Sequence, residues 1–122
     1  MKKILIIDDE LAYVKLLRDV LSSTYEVLDA QNGQTGLEIS LKEKPDLILL
    51  DIRMPIMDGM TMLKKLRKDH YGKTAKVILL TNLEANDTIV KQVVEDQPTY
   101  YFVKSDIKLE DLLEKIKVLL AS

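Results

Sequence analysis

Short apolar runs alternate with longer stretches of helical period along this chain, and that alternation constrains the fold more than any other feature. The runs are Ile4–Ile7, Glu26–Ala30, Asp46–Leu50, Val77–Leu80 and Tyr100–Val103. Most of them are continuously apolar rather than alternating, which is typical of strands covered by helices on both faces. Between the runs, apolar residues recur every three or four positions, as on one face of a helix.

A helix is predicted after each of the five strands. The apolar stripes of these helices fall within Leu11–Leu21, Leu37–Leu41, Met62–Leu66, Ile89–Val94 and Leu109–Leu120. Five βα units with right-handed, helix-length crossovers predict a flavodoxin-like α/β fold, a doubly wound five-stranded parallel sheet in the order 2-1-3-4-5 with five helices. At this length we expect residues 1–122 to form a single domain.

Composition restricts the classes of partner and of site. Hydrophobic residues make up 47% of the chain and charged residues 31%, and the net charge of -2 gives no reason to expect a nucleic-acid partner. The chain has no cysteine, which excludes disulfides and thiolate metal sites. Its first residues show no signal-peptide cleavage pattern, and no apolar run is long enough to span a bilayer. We therefore expect a cytoplasmic protein with no membrane partner.

Polar residues follow four of the predicted strands at the point where each strand ends. Asp8 and Asp9 follow the first strand, Asp51 the third, Thr81 the fourth and Lys104 the fifth. The carboxyl ends of parallel strands open onto one edge of the sheet, and in this strand order ligands bind at the reversal between strands one and three. These five residues are therefore expected to form one site.

Three carboxylates at one edge need a counterion, because each pair repels by roughly 3 kcal/mol at 5 Å and an effective dielectric of 20. Donors that are all oxygen suit Mg²⁺, which takes one or two carboxylates and leaves room for phosphate, whereas zinc favours histidine and cysteine. Beside Mg²⁺, one of the aspartates can attack phosphorus and form an aspartyl-phosphate. Lys104 would neutralise one phosphoryl oxygen, and Thr81 would hydrogen-bond another.

The run Asp51-Ile52-Arg53-Met54-Pro55-Ile56-Met57-Asp58-Gly59, taken with Asp8-Asp9, Thr81, Tyr101 and Lys104, resembles the receiver domain of bacterial response regulators. The resemblance covers essentially the whole chain. It implies that Asp51 is the phosphoacceptor and takes a phosphoryl group from phosphohistidine on a sensor histidine kinase or a phosphotransfer protein. It also implies Mg²⁺ ligation by Asp9 and Asp51 directly, by Asp8 mostly through water, and by the backbone carbonyl of Arg53. Thr81 and Lys104 would hold the phosphoryl group, and Tyr101 would reorient with Thr81 on activation.

The same resemblance implies a signalling domain rather than an enzyme, one that assists its own phosphorylation and dephosphorylation. Phosphorylation would shift a pre-existing equilibrium of the surface formed by the fourth predicted helix, the fifth strand and the fifth helix. That surface would contact a downstream protein target. We expect a stand-alone regulator, or a receiver from a longer protein, that is a monomer or a weak dimer on phosphorylation.

Three positions depart from the usual pattern of the family. Ser105 follows Lys104, where a proline with a cis bond is usual; a non-proline cis bond costs roughly 3–4 kcal/mol, so we expect a trans bond and a reshaped loop. Asn82 follows Thr81, where a small residue is common, and its bulk is expected to narrow access to Asp51. Gln97-Pro98 replaces a frequent Gly-Ala turn, so the chain leaving the fourth helix should differ as well.

Structural explanations compete with the functional ones. An aspartate or threonine after a strand is often only a helix cap or turn former, a loop lysine is often solvated, and an aromatic residue often merely packs in a strand. Asp58, just before the third helix, is better placed than Asp51 to cap that helix, which leaves Asp51 facing the crevice. Two other functions stay open: a receiver-like binding module independent of phosphorylation, and an aspartate-nucleophile phosphatase. The phosphatase class typically has a second aspartate where this chain has Arg53.

Overall fold

The computed structural model describes residues 1–82, 88, 91, 95 and 97–121. The described strands are β1 (Lys3–Ile7), β2 (Glu26–Ala30), β3 (Leu47–Leu50), β4 (Val77–Thr81) and β5 (Tyr100–Val103). The described helices are α1 (Leu11–Leu21), α2 (Gly33–Glu43), α3 (Gly59–Leu66) and α4 (Leu109–Leu120). All five predicted strands are confirmed to within a residue. The apolar residues predicted to line a helix between β4 and β5 lie outside the described residues: Ile89, Val90, Val93 and Val94.

The strands form one sheet in the order β2-β1-β3-β4-β5, and every neighbouring pair is parallel. The predicted flavodoxin-like strand order is therefore confirmed. The last residue of β1, Ile7, is in register with Ala30 on one side and Leu50 on the other. On the other half of the sheet, Thr81 at the end of β4 is in register with Val103. The carboxyl ends of the strands thus lie at one edge, as a shared site requires.

Two apolar cores, one on each face of the sheet, explain why the strands are apolar throughout. Alternate residues of a strand point to opposite faces, so Leu5 and Ile7 join the core under α2 and α3, whereas Ile4 and Ile6 join the core under α1 and α4. All four of these side chains are almost completely buried. A strand with helices on both sides has no face left for polar residues, which therefore collect at its ends.

Side-chain caps set the starts of two helices. Asn32 Oδ1 accepts a hydrogen bond of 2.8 Å from the backbone N–H of Thr35 at the start of α2. Asp58 Oδ1 accepts one of 2.8 Å from the backbone N–H of Thr61 at the start of α3. The predicted capping role of Asp58 is confirmed, and Asp58 thus differs in role from Asp51 in the same loop.

The loop between β3 and α3 is held close to its neighbours. The backbone N–H of Gly59 donates to the carbonyl of Ile52 at 2.7 Å, and that of Gly33 donates to the carbonyl of Met57 at 2.8 Å. A β-carbon at Gly59 would lie 1.9 Å from the carbonyl oxygen of Asp51, so only glycine permits this approach. The backbone of Asp51 is thereby fixed from the α3 side.

None of the helices in the described ranges combines the length and apolar character that crossing a bilayer requires.

Candidate functional site

Three aspartates converge at the carboxyl edge of the sheet, between β1 and β3. Asp8 and Asp51 are only 3% and 8% exposed, whereas Asp9 is exposed. One carboxylate oxygen from each of the three lies within 4.8 Å of the others. The backbone N–H groups of Asp8 and Asp51 donate to Ala30 and Ile7 at 2.9 Å, so each aspartate continues the sheet ladder one residue past its strand. The structure thus brings these three residues together as the strand pattern requires.

Lys104 brings a positive charge into this cluster from β5. Its Nζ lies 2.7 Å from Asp8 Oδ2, 3.7 Å from Asp51 Oδ2 and 3.1 Å from Glu10 Oε1, and its side chain is 6% exposed. Its backbone N–H donates to the carbonyl of Thr81 at 2.7 Å, which ties the start of the β5 loop to the end of β4. The described residues contain no cis peptide bond, so the predicted trans bond between Lys104 and Ser105 is confirmed.

Burial and charge act against each other at this ion pair. Burial raises the pKa of Asp8 to about 6, and the nearby Asp51 carboxylate raises it too, while the hydrogen bond from Lys104 opposes both effects. Burial lowers the pKa of Lys104, but its contacts with Asp8, Asp51 and Glu10 outweigh burial and leave that pKa above the usual value. The ammonium therefore stays charged, and one cation faces three carboxylates of the site.

A polar cavity of about 310 Å³ opens beside the cluster. It is lined by Asp9, Glu10, Asp51, Arg53, Thr81, Asn82 and Lys104. Its three carboxylates outnumber its two cationic side chains, Arg53 and Lys104. All of the acidic donors are oxygens, which is the donor chemistry that suits a hard cation such as Mg²⁺. Arg53 lies at the cavity wall with its side chain exposed, and its backbone carbonyl stays a predicted ligand.

Thr81 and Tyr101 lie on the β4–β5 side of the site. Thr81 is 2% exposed and lines the cavity at the end of β4. Tyr101 is half-buried on β5, in register with Leu79, and packs against the core under α2 and α3. Burial raises the pKa of Tyr101, and the negative charge of Asp51 adds to this. Thr81 thus lies at the cavity and Tyr101 within electrostatic reach of Asp51, and their coupled reorientation stays a prediction.

Two residues that contact Lys104 were not among the predicted site residues. Glu10 accepts a hydrogen bond from the ammonium, and the face of the Tyr13 ring lies beneath it, with Nζ 4.4 Å from the ring centroid. Glu10 is the last residue before α1, and Tyr13 lies in the first turn of that helix. The available signal was an acidic residue directly after Asp8-Asp9 and an aromatic residue shortly beyond it, but their partner Lys104 lies about ninety residues away in sequence.

Residues 4–117 match the family described as the response regulator receiver domain. The chain belongs to this family. The match spans almost all of the chain, and the resemblance seen in the sequence is confirmed. A receiver domain is a signalling module that works with histidine kinases or phosphotransfer proteins.

Relatives of this receiver domain include proteins of very different length. It is 34% identical over 116 residues to sporulation initiation phosphotransferase F of Bacillus subtilis, covering 93% of this chain and 92% of that protein. It is 42% identical over 83 residues to response regulator PleD of Caulobacter vibrioides, where the aligned part is 67% of this chain and only 18% of PleD. The chain thus spans under a fifth of that relative's length.

Among solved structures, the receiver domain of a sensor histidine kinase from Pseudomonas aeruginosa PAO1 superposes with a TM-score of 0.86. It shares 22% sequence identity, and the match covers 99% of this chain and 98% of that one. That structure is described as having a magnesium ion coordinated in its active-site cleft. At this identity the likeness shows the shared fold.

Proposed function

We propose that this receiver domain is the phosphoacceptor of a two-component phosphorelay and that Asp51 is the residue phosphorylated. The observation that carries the proposal is the position of the Asp51 carboxylate: it is 8% exposed, clusters with Asp8 and Asp9, and lies 3.7 Å from the Lys104 ammonium. Its phosphodonor is a phosphohistidine on a sensor histidine kinase or a phosphotransfer protein.

The acidic cluster is the proposed Mg²⁺ site. Asp9 and Asp51 would bind the ion directly, Asp8 mostly through water, and Arg53 through its backbone carbonyl. Support comes from the all-oxygen donor set within 4.8 Å and from the magnesium ion in the cleft of the Pseudomonas receiver domain. When bound, the ion neutralises charge between the carboxylate and the incoming phosphoryl group.

The reaction exchanges one bond to phosphorus for another. An oxygen of Asp51 forms a bond to phosphorus, the bond from phosphorus to the histidine nitrogen breaks, and the bonding electrons leave with the imidazole, which takes up a proton. Lys104 and Thr81 then hold two of the phosphoryl oxygens. Lys104 is already 3.7 Å from Asp51, so a small movement of its side chain suffices.

The output of the domain follows from these contacts. As Thr81 and Lys104 move toward the phosphoryl group, Tyr101 follows into the space released beside Thr81. This biases a pre-existing equilibrium of the surface on β5 and α4; the fourth predicted helix, which completes the expected surface, lies outside the described residues. A downstream protein that binds the biased surface is the proposed target.

Incubation with acetyl phosphate and Mg²⁺, followed by intact-mass measurement, tests the proposal. The wild type should gain the mass of one phosphoryl group in an acid-stable, base-labile adduct, and should not gain it when Mg²⁺ is chelated. Asp51→Asn should abolish the adduct. Asp58→Asn is the matched control, because it makes the same change in the same loop and asparagine still caps α3.

Two results would overturn the assignment of Asp51. An undiminished adduct on Asp51→Asn would place the phosphoryl group on another residue. No adduct on the wild type, with Mg²⁺ binding intact, would favour a binding module that works without phosphorylation.

A further inference from the structure

The Lys104 ammonium is held by side chains rather than by its own backbone. The backbone N–H donates to the carbonyl of Thr81, and four rotatable side-chain bonds separate that anchor from Nζ. Around Nζ lie the carboxylates of Asp8, Asp51 and Glu10 and the ring of Tyr13. These contacts together decide where the ammonium points.

Two of the carboxylate contacts are with residues that change partners during the proposed reaction. Asp8 and Asp51 would share their charge with a bound cation, and Asp51 would become a phosphorylated side chain. Their attraction for Lys104 therefore varies with the state of the site. Glu10 has a side chain that is 52% exposed, where water and salt weaken an ion pair.

Tyr13 differs from these groups in both charge and anchoring. It lies in the first turn of α1, where its backbone N–H donates to the carbonyl of Glu10 at 3.0 Å, and its half-buried side chain packs against the core under α1 and α4. The Lys104 Nζ is 4.4 Å from its ring centroid, well within the roughly 6 Å range of a cation–π interaction. A neutral ring neither binds Mg²⁺ nor accepts the phosphoryl group, so this contact is available in every state of the site.

We propose that Tyr13 is a positioning residue that holds the Lys104 ammonium toward Asp51 through the face of its aromatic ring. This inference rests on the proposed function, in which Lys104 binds the phosphoryl group. It assigns to the first turn of α1 a role in phosphorylation beyond the packing of the core.

The first test measures the rate constant for phosphorylation by acetyl phosphate at saturating Mg²⁺. Tyr13→Phe keeps the ring and should stay within about twofold of the wild type, whereas Tyr13→Leu should slow the reaction roughly 3- to 30-fold. Tyr25→Leu is the matched control, because Tyr25 is also half-buried against the same core, and it should leave the rate unchanged.

Fluorinated phenylalanines at position 13 separate the ring's electrostatics from its shape. Each added fluorine withdraws charge from the ring face with little change in size, so the rate should fall stepwise from Phe through mono-, di- and trifluoro-Phe. A role in packing alone would leave this series flat, and a flat series would overturn the proposal.

A second readout needs neither Mg²⁺ nor phosphodonor. In EDTA, a double-mutant cycle of Tyr13→Leu and Lys104→Met on the unfolding equilibrium should be non-additive, with a coupling of roughly 3- to 30-fold. Additive effects would refute the Tyr13–Lys104 interaction. If the wild type forms no phosphoadduct, the proposed function fails, but this cycle still decides whether Tyr13 and Lys104 are coupled.

Discussion

Replacing Asp9 with asparagine should stabilise the metal-free protein. Its carboxylate lies within 4.8 Å of those of Asp8 and Asp51, and it is the exposed member of the cluster, so a water-like dielectric applies to its two pairs. Each pair then repels by about 0.9 kcal/mol, and screening at 0.15 M salt reduces the sum to about 1 kcal/mol. For a domain of this size, that raises the melting temperature by roughly 3–5 °C.

The same substitution should weaken the stabilisation that Mg²⁺ provides. At a Mg²⁺ concentration tenfold above the dissociation constant, the wild type should gain about 1.4 kcal/mol. Asp9→Asn removes a direct ligand of the proposed site, so its melting temperature should respond much less to the same Mg²⁺ concentration. The Asp9→Asn protein should thus be more stable than the wild type in EDTA and lose that advantage in Mg²⁺.

Thermal melts followed by circular dichroism, in EDTA and across a Mg²⁺ titration, measure both effects. Asp19→Asn is the matched control: it makes the same change in net charge at the far end of α1, where Asp19 forms an exposed ion pair with Lys15. Equal behaviour of the two variants would show a general charge effect. An Asp9→Asn protein that melts like the wild type in both conditions would refute the repulsion argument and the role of Asp9 in metal binding.

Three further predictions concern the scaffold around the site. Gly59→Ala places a β-carbon 1.9 Å from the Asp51 carbonyl oxygen, so it should destabilise the domain by about 1–3 kcal/mol in denaturant titrations and also reduce the phosphoadduct. Asp58→Ala removes the cap of α3 and should cost about 1 kcal/mol in the same assay, whereas Asp58→Asn should stay near the wild type. Burial raises the pKa of Tyr71 from 10.0 to about 12, so its neutral form stabilises the fold below pH 10 and that contribution is lost as the pH rises toward 12. Melts across this alkaline range should show a fall in the free energy of unfolding. Tyr71→Phe should reduce that fall by about 1 kcal/mol, once partial exposure is allowed for. An equal fall in the variant would contradict the role of Tyr71.

Local sequence was sufficient for the strands, their order and the acidic edge. Continuous apolar runs predict strands buried on both faces, and the two cores of the structure bear this out. The distinction between Asp58 and Asp51 was also predictable, because a helix cap depends on residues three positions apart.

The surroundings of Lys104 were not predictable in the same way. Its contacts with Glu10 and Tyr13 join residues far apart in sequence, and they depend on how the chain after β5 meets the start of α1 rather than on any local pattern. The different exposure of Asp8 and Asp9 is likewise tertiary, since the buried Asp8 pairs with Lys104, which is distant in sequence, whereas Asp9 is exposed. The narrowing of access by Asn82 stays a prediction; the residue is exposed at the cavity wall.

The loop after β3 holds one side of the site more closely than the opposite side is held. On the α2–α3 side, the backbone of Gly59 approaches Asp51 so closely that no β-carbon would fit, and the N–H of Gly33 donates to the carbonyl of Met57. On the other side lie Thr81 and Lys104, whose backbones are joined by the hydrogen bond from the Lys104 N–H to the Thr81 carbonyl. If Asp51 is phosphorylated as proposed, we expect its change of charge to be relieved toward β4 and β5, away from the close contact with Gly59.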